Sequence, residues 1–87
     1  MQGLAIERIH RLNSGTIKAF VDILINDMFI VKGLRVMAGA GGLFVSMPST
    51  QGKDGKWYDT SYPATKEIRE EIQDMILASF QDEGWDA

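Results

Sequence analysis

The 87-residue chain has no cysteine and a single histidine, His10. Disulfide staples and thiolate metal sites are excluded, and a zinc site of the usual kind would need His10 with three carboxylates. His10 reads instead as a surface or edge-strand residue, and no metal or cofactor is expected. No run of about 18 apolar residues occurs, so no transmembrane helix is expected and no insertion into a membrane. The start, Met1 to Arg8, has no basic segment followed by an apolar one, so it does not read as a signal peptide. With the missing cysteines, this makes a cytoplasmic location the expectation. No serine sits in a nucleophile-elbow context: Ser46 falls in a strand and Ser49 follows a proline. The glycines at 39–42 precede a strand, whereas a phosphate cradle needs a helix after them. The chain therefore reads as a non-enzyme. It also lacks a positive surplus: nine basic against twelve acidic residues give a net charge of −3. Non-specific binding to nucleic acid or to membranes needs a positive field, so any such interface must rest on where the charges lie.

What is present suffices for one small domain, residues 1–87, with 81–87 expected as a frayed tail in which Trp85 could dock. Below roughly 70–80 residues a single core seldom supplies more than ~3–5 kcal/mol, and this chain sits just above that limit. Without staples, self-association is the natural further source of burial, so a homodimer is expected.

The patterning predicts an α+β fold, a small antiparallel β-meander of four to five strands with one C-terminal helix. Leu4 to Leu12 reads as a strand with Leu4 and Ile6 on one face and Ile9 on the other. Asn13-Ser14-Gly15 is a turn. Ile17, Ala19, Val21, Ile23 and Ile25 form a strict period-2 apolar face. The opposite face, Lys18, Phe20, Asp22 and Leu24, is only half polar and needs a cover. Asn26-Asp27 reads as a turn, Met28 to Val36 as a third strand and Leu43 to Met47 as a fourth. Phe44 is expected to anchor the core, with Phe29 also inside. Residues 49–56 read as a polar loop with an Asp54-Gly55 turn. Trp57-Tyr58-Asp59 is the candidate fifth strand. Thr65 is the predicted N-cap of a helix whose apolar stripe runs through Ile68, Ile72, Met75 and Ser79, flanked by Ile76 and Phe80.

Charges on that helix are sorted. At about 100° per residue, Lys66, Arg69 and Gln73 fall along one edge of the stripe and Glu67, Glu71 and Asp74 along the other. Lys66 has Glu70 at i+4, but the i±3 and i±4 neighbours of Arg69 include no acid. Arg69 is therefore a candidate phosphate contact, for which a forked guanidinium is suited. Lys53 and Lys56 flank the Asp54-Gly55 turn, and a lysine-bearing hairpin tip can track a phosphate backbone. Arg8, His10 and Arg11 form a third basic group, read as guarding a sheet edge. Among the aromatic residues, Trp57 and Tyr58 beside the polar loop are the stacking candidates.

One stretch says more than its physics. Arg35-Val36, Gly39, Gly42-Leu43-Phe44-Val45, Met47-Pro48-Ser49, Asp54-Gly55, Asp59, Pro63, Arg69 and Ile72 closely resemble the SpoVG (septation regulator, stage V sporulation protein G) family. The similarity runs from about Ile6 to Phe80. This resemblance implies a small homodimeric bacterial protein with an antiparallel sheet and a C-terminal helical part. It implies nucleic-acid binding, DNA or RNA, in control of septation- and sporulation-type genes. In the family, basic residues after the Met-Pro-Ser string and at the helix start are linked to DNA contact. Here Thr50-Gln51 follow that string, Tyr62-Pro63 stands for the usual His-Pro step, Arg69 keeps the helix-start arginine, and Glu71 lies where some members have Lys. Two function classes follow: a dimeric nucleic-acid-binding regulator using Arg69, Lys66, Lys53 and Lys56, or a module that binds division or sporulation proteins without touching nucleic acid.

Overall fold

In a computed structural model that describes residues 3–12 and 15–82, the side chain of Asp82 apart, six strands precede one helix. Strands β1 (Leu4–Arg11), β2 (Ile17–Ile25), β3 (Phe29–Gly39) and β4 (Gly42–Ser46) form one antiparallel sheet in the order β1-β2-β3-β4. Strands β5 (Ser49–Gln51) and β6 (Trp57–Asp59) pair separately, and helix α1 (Lys66–Asp82) ends the described chain. The expected α+β meander with a C-terminal helix is the observed architecture. The expected turn at Asn13-Ser14 and the tail from residue 83, Trp85 included, lie outside the described residues. Gln81 and Asp82, expected to fray, belong to α1.

Turn chemistry sets the register. Asn26 and Asp27 have φ of 52° and 55°, and the Met28 N–H donates to the Ile25 carbonyl at 2.9 Å. Two successive left-handed residues give the primed turn whose twist matches paired strands, and short polar side chains tolerate that region best. The β3–β4 hairpin closes as tightly, with Gly39 opposite Gly42 across Ala40-Gly41. Gly42 has φ of +119°, a conformation that side chains rarely adopt.

The period-2 face of β2 is the centre of the core. Ala19, Val21 and Ile23 are buried with Leu34 and Val36 of β3, Val45 of β4, Met47, and Ile72 and Ile76 of α1. The helix stripe is thus centred on Ile72 and Ile76, with Ile68, Met75, Leu77 and Phe80 packed beside them. Thr65 caps the helix as expected: its Oγ1 accepts from the Ile68 N–H at 3.1 Å. Thr65→Ala should lower stability by about 1 kcal/mol in denaturant unfolding. Two contacts tie the helix to the outer strands. The Val45 N–H of β4 donates to Gln73 Oε1 at 3.2 Å. Arg11 of β1 lays its guanidinium over the Phe80 ring, 4.2 Å from the centroid, and donates to the Phe80 carbonyl at 3.2 Å.

Four expectations need correction. Ile9 does not oppose Leu4 and Ile6. The register shifts between Ile6 and Arg8, so Ile9 faces Val21 while Ile6 faces Ile23, and both point into the core. Such a bulge adds one residue to one strand and reverses the alternation after it. Phe44 is not a core anchor: it is 43% exposed. Val45 pairs with Val36 inside, so Phe44 pairs with Met37 outside, where its ring lies across Gly39. A Cβ on Gly39 would come within 2.9 Å of that ring, so the glycine makes room for it. Phe29 is 69% exposed at the start of β3. Finally, Ser49–Gln51, read as loop, is a strand that pairs with β6.

Candidate functional site

The β5–β6 hairpin is held by its own turn, by a bond between its two ends and by one link to the main sheet. The Gly52 N–H donates to the Lys56 carbonyl at 2.8 Å, and Gly55, with φ of +84°, donates back to Gly52 at 3.0 Å. The Tyr58 ring lies over Gly52, where an added Cβ would meet it at 2.8 Å. The Thr60 N–H donates to the Pro48 carbonyl at 2.8 Å, and Arg35 Nη2 of β3 donates to Ser49 Oγ at 2.5 Å. Lys53 and Lys56 are exposed at the tip.

Asp54 sits between the two lysines. Its Oδ2 accepts from the Tyr58 hydroxyl at 2.5 Å and its Oδ1 from the Lys56 N–H at 3.0 Å. The Tyr58 hydroxyl, then the Lys56 N–H, hold this carboxyl below its ordinary value of 3.8. The same hydrogen bond pushes the Tyr58 hydroxyl above its ordinary 10.0. At neutral pH the tip therefore carries a fixed negative charge between its two ammonium groups, which lowers its pull on phosphate.

Across the start of α1, Arg69 joins Trp57, Tyr58, Asp59 and Tyr62 around an open recess of about 500 Å³. Arg69 is exposed, as are Trp57, Tyr58 and Tyr62. One guanidinium beside three aromatic rings can hold a phosphate while a planar base lies on a ring. Asp59 is the acid within the recess. Lys66 lies one turn earlier on α1 and does not line it. Arg69 thus meets β6 of the lysine-bearing hairpin, while Lys66 stands apart. Tyr62 was not singled out as a stacking group by sequence reasoning. Its place before Pro63, in the approach to the helix, was the available signal. Glu71 is half-buried with a fully enclosed Oε2, so it is part of the packing rather than an open helix edge.

A second depression is apolar. It measures about 310 Å³ and lies on the helix side of the sheet, between Leu4, Ile25, Val31 and Pro48 and the Tyr62–Ala64 segment leading into α1. Among the described residues, no cluster of three or more His, Asp or Glu side chains is placed to hold a metal ion. No helix among the described residues is long and apolar enough to cross a membrane.

Comparison with known proteins gives the family. The SpoVG family model matches residues 1–82. Relatives named "Putative septation protein SpoVG" include one from Archaeoglobus fulgidus, 40% identical over 70 residues, covering 80% of this chain and 82% of the relative. One from Symbiobacterium thermophilum is 43% identical over 74 residues, 84% of this chain but 53% of the relative. One from Bdellovibrio bacteriovorus is 37% identical over 76 residues, covering 87% of this chain and 70% of the relative. With a family model spanning nearly all of it and relatives near 40% identity, the chain belongs to the SpoVG family.

Proposed function

We propose that this protein is a dimeric regulator that binds DNA or RNA weakly, through phosphate contacts, in the control of septation and sporulation-type genes. The observation that carries the reading is the recess in which exposed Arg69 meets Trp57, Tyr58 and Tyr62. Lys53 and Lys56 extend the surface along the β5–β6 hairpin, and Lys66 adds charge at the helix start. Among the described residues, the cations named are placed for phosphate rather than for base edges, so sequence preference should be slight. Self-association has its own support. Met28 and Phe29 form an apolar knuckle at the β2–β3 turn, 77% and 69% exposed. Phe29 lies opposite Ile25, a wall of the apolar depression, so knuckle and depression are continuous. A second copy of this chain is the occupant we assign to them.

The test is a salt titration of binding to a mixed panel of DNA and RNA oligonucleotides. Each neutralised phosphate contributes a slope of about −0.9 on duplex DNA. Arg69→Ala should weaken binding to all duplexes alike and flatten that slope by about 1. Lys53→Ala with Lys56→Ala should act in the same direction. Unchanged binding in both would place the contact elsewhere. A second reading is favoured by the seven acidic residues from Glu67 to Asp86: a module that binds division or sporulation proteins. Absence of binding to any nucleic acid at low ionic strength would decide for it.

A further inference from the structure

The strands and the remainder of the chain carry opposite charge. Strands β1 to β4 hold Arg8, Arg11, Lys18, Lys32 and Arg35, with His10, against Glu7 and Asp22. From Pro48 onward, four basic residues stand against nine acidic ones. The acids that make the chain negative are therefore concentrated outside the sheet.

Strand register gathers part of this basic charge on one face. His10 lies opposite Phe20, and Phe20 opposite Arg35; Arg8 lies opposite Asp22. Ala19 and Val21 point into the core, so Phe20 and its partners point to the side of the sheet away from the helix. There Arg8, His10, Phe20, Asp22 and Lys32 line a shallow depression of about 290 Å³. Phe20 is 38% exposed at its centre. Asp22 is the acid lining it, and one of its oxygens is already engaged: Oδ1 accepts from the Gly33 N–H at 3.3 Å. Arg35 reaches away toward Ser49 and sits at the rim.

We propose that this open sheet face is a docking surface for single-stranded nucleic acid, distinct from the Arg69 recess. Phe20 stacks one base, and Arg8, His10 and Lys32 donate to the phosphates on either side. An unstacked base offers its π-face to an aromatic ring on a flat sheet, whereas the bases of a duplex are covered by their neighbours. Cations on both strands next to Phe20 suit a polyanion whose charges flank each base. The inference rests on the nucleic-acid reading and adds to it a site for the single-stranded form.

The experiment measures anisotropy of a labelled oligothymidylate and of a duplex of equal length, each across a salt series. Arg8→Gln combined with Lys32→Gln should weaken single-strand binding and flatten its salt slope by about 1.4, two phosphates at roughly 0.7 each. Phe20→Leu keeps an apolar cover and removes the ring. It should lower single-strand affinity roughly tenfold and leave duplex affinity unchanged. Circular dichroism and thermal unfolding check that each variant is folded; the double glutamine variant alters only exposed side chains and carries the test if Phe20→Leu does not fold. Wild-type binding that persists unchanged in folded face variants overturns this inference and leaves the Arg69 reading standing. Wild-type binding to neither probe overturns both. A change in oligomeric state without a change in single-strand binding makes the face a contact between copies and also overturns the inference.

Discussion

Ile76→Ala should lower the stability of this domain by about 2–5 kcal/mol, the range for removing a large aliphatic side chain from a packed interior. Ile76 is fully buried at the middle of α1, among Val21, Leu34, Val36 and Ile72. Small single domains have about 5–15 kcal/mol in all, and one with so few buried residues belongs at the low end. The variant should therefore unfold at much lower urea concentration, with a fraction unfolded even in buffer. Phe44→Ala is the matched control. Phe44 is the larger side chain, but it lies on the outer face over Gly39. Its removal should cost only about 1 kcal/mol or less, as an exposed substitution does. If urea unfolding reverses that order, Phe44 does its packing in the interior and the faces of β4 are exchanged.

In the dimer proposed above, Phe29→Arg should shift the protein from dimer to monomer. A large exposed apolar patch on a small domain marks an interaction site, and Met28 and Phe29 make one on the side of the depression walled by Ile25 and Val31. In a two-fold dimer each substitution acts twice, because the same patch serves both copies. An arginine there would place a charge in a contact that excludes water, and two such charges would face one another. Sedimentation velocity at micromolar concentration reads the outcome. A dimer that survives Phe29→Arg puts the interface elsewhere, and a wild type that sediments as a folded monomer removes the dimer altogether. Folding itself should be unaffected, since Phe29 is outside the core.

The architecture was legible wherever a local rule has a single solution. The alternation of β2, the Asn26-Asp27 turn, the glycines before β4 and the Thr65 cap each follow from backbone sterics or hydrogen-bond supply, and each is found in place. What misled was parity. A single extra residue at Glu7-Arg8 returns Ile9 to the inside, and no local signal announces a bulge. Phe44 and Val45 are neighbours of similar hydrophobicity, and only pairing with β3 decides which one enters the core. The candidate site was half legible. Arg69 stood out because no acid is spaced to pair with it along the helix, but its neighbours in the recess come from β6 and from Tyr62, brought there by the tertiary path. The grouping of Lys32 with Arg8, His10 and Phe20 depends on the pairing of three strands, so the run Arg8 to Arg11 alone read as edge protection.

A sheet of four strands in line has two outer strands, and unpaired backbone groups there invite another chain to add on. On the β4 side the invitation is partly withdrawn. The side-chain oxygen of Gln73 takes the Val45 N–H from across the helix, and β4 is only five residues long. Lengthening the sheet by a foreign strand, as in fibrils, would have to displace that amide first. Gln73→Leu would leave an amide donor open at this edge without exposing the core. The consequence would be seen on storage rather than in unfolding: a protein of nearly unaltered stability that accumulates thioflavin-positive aggregates.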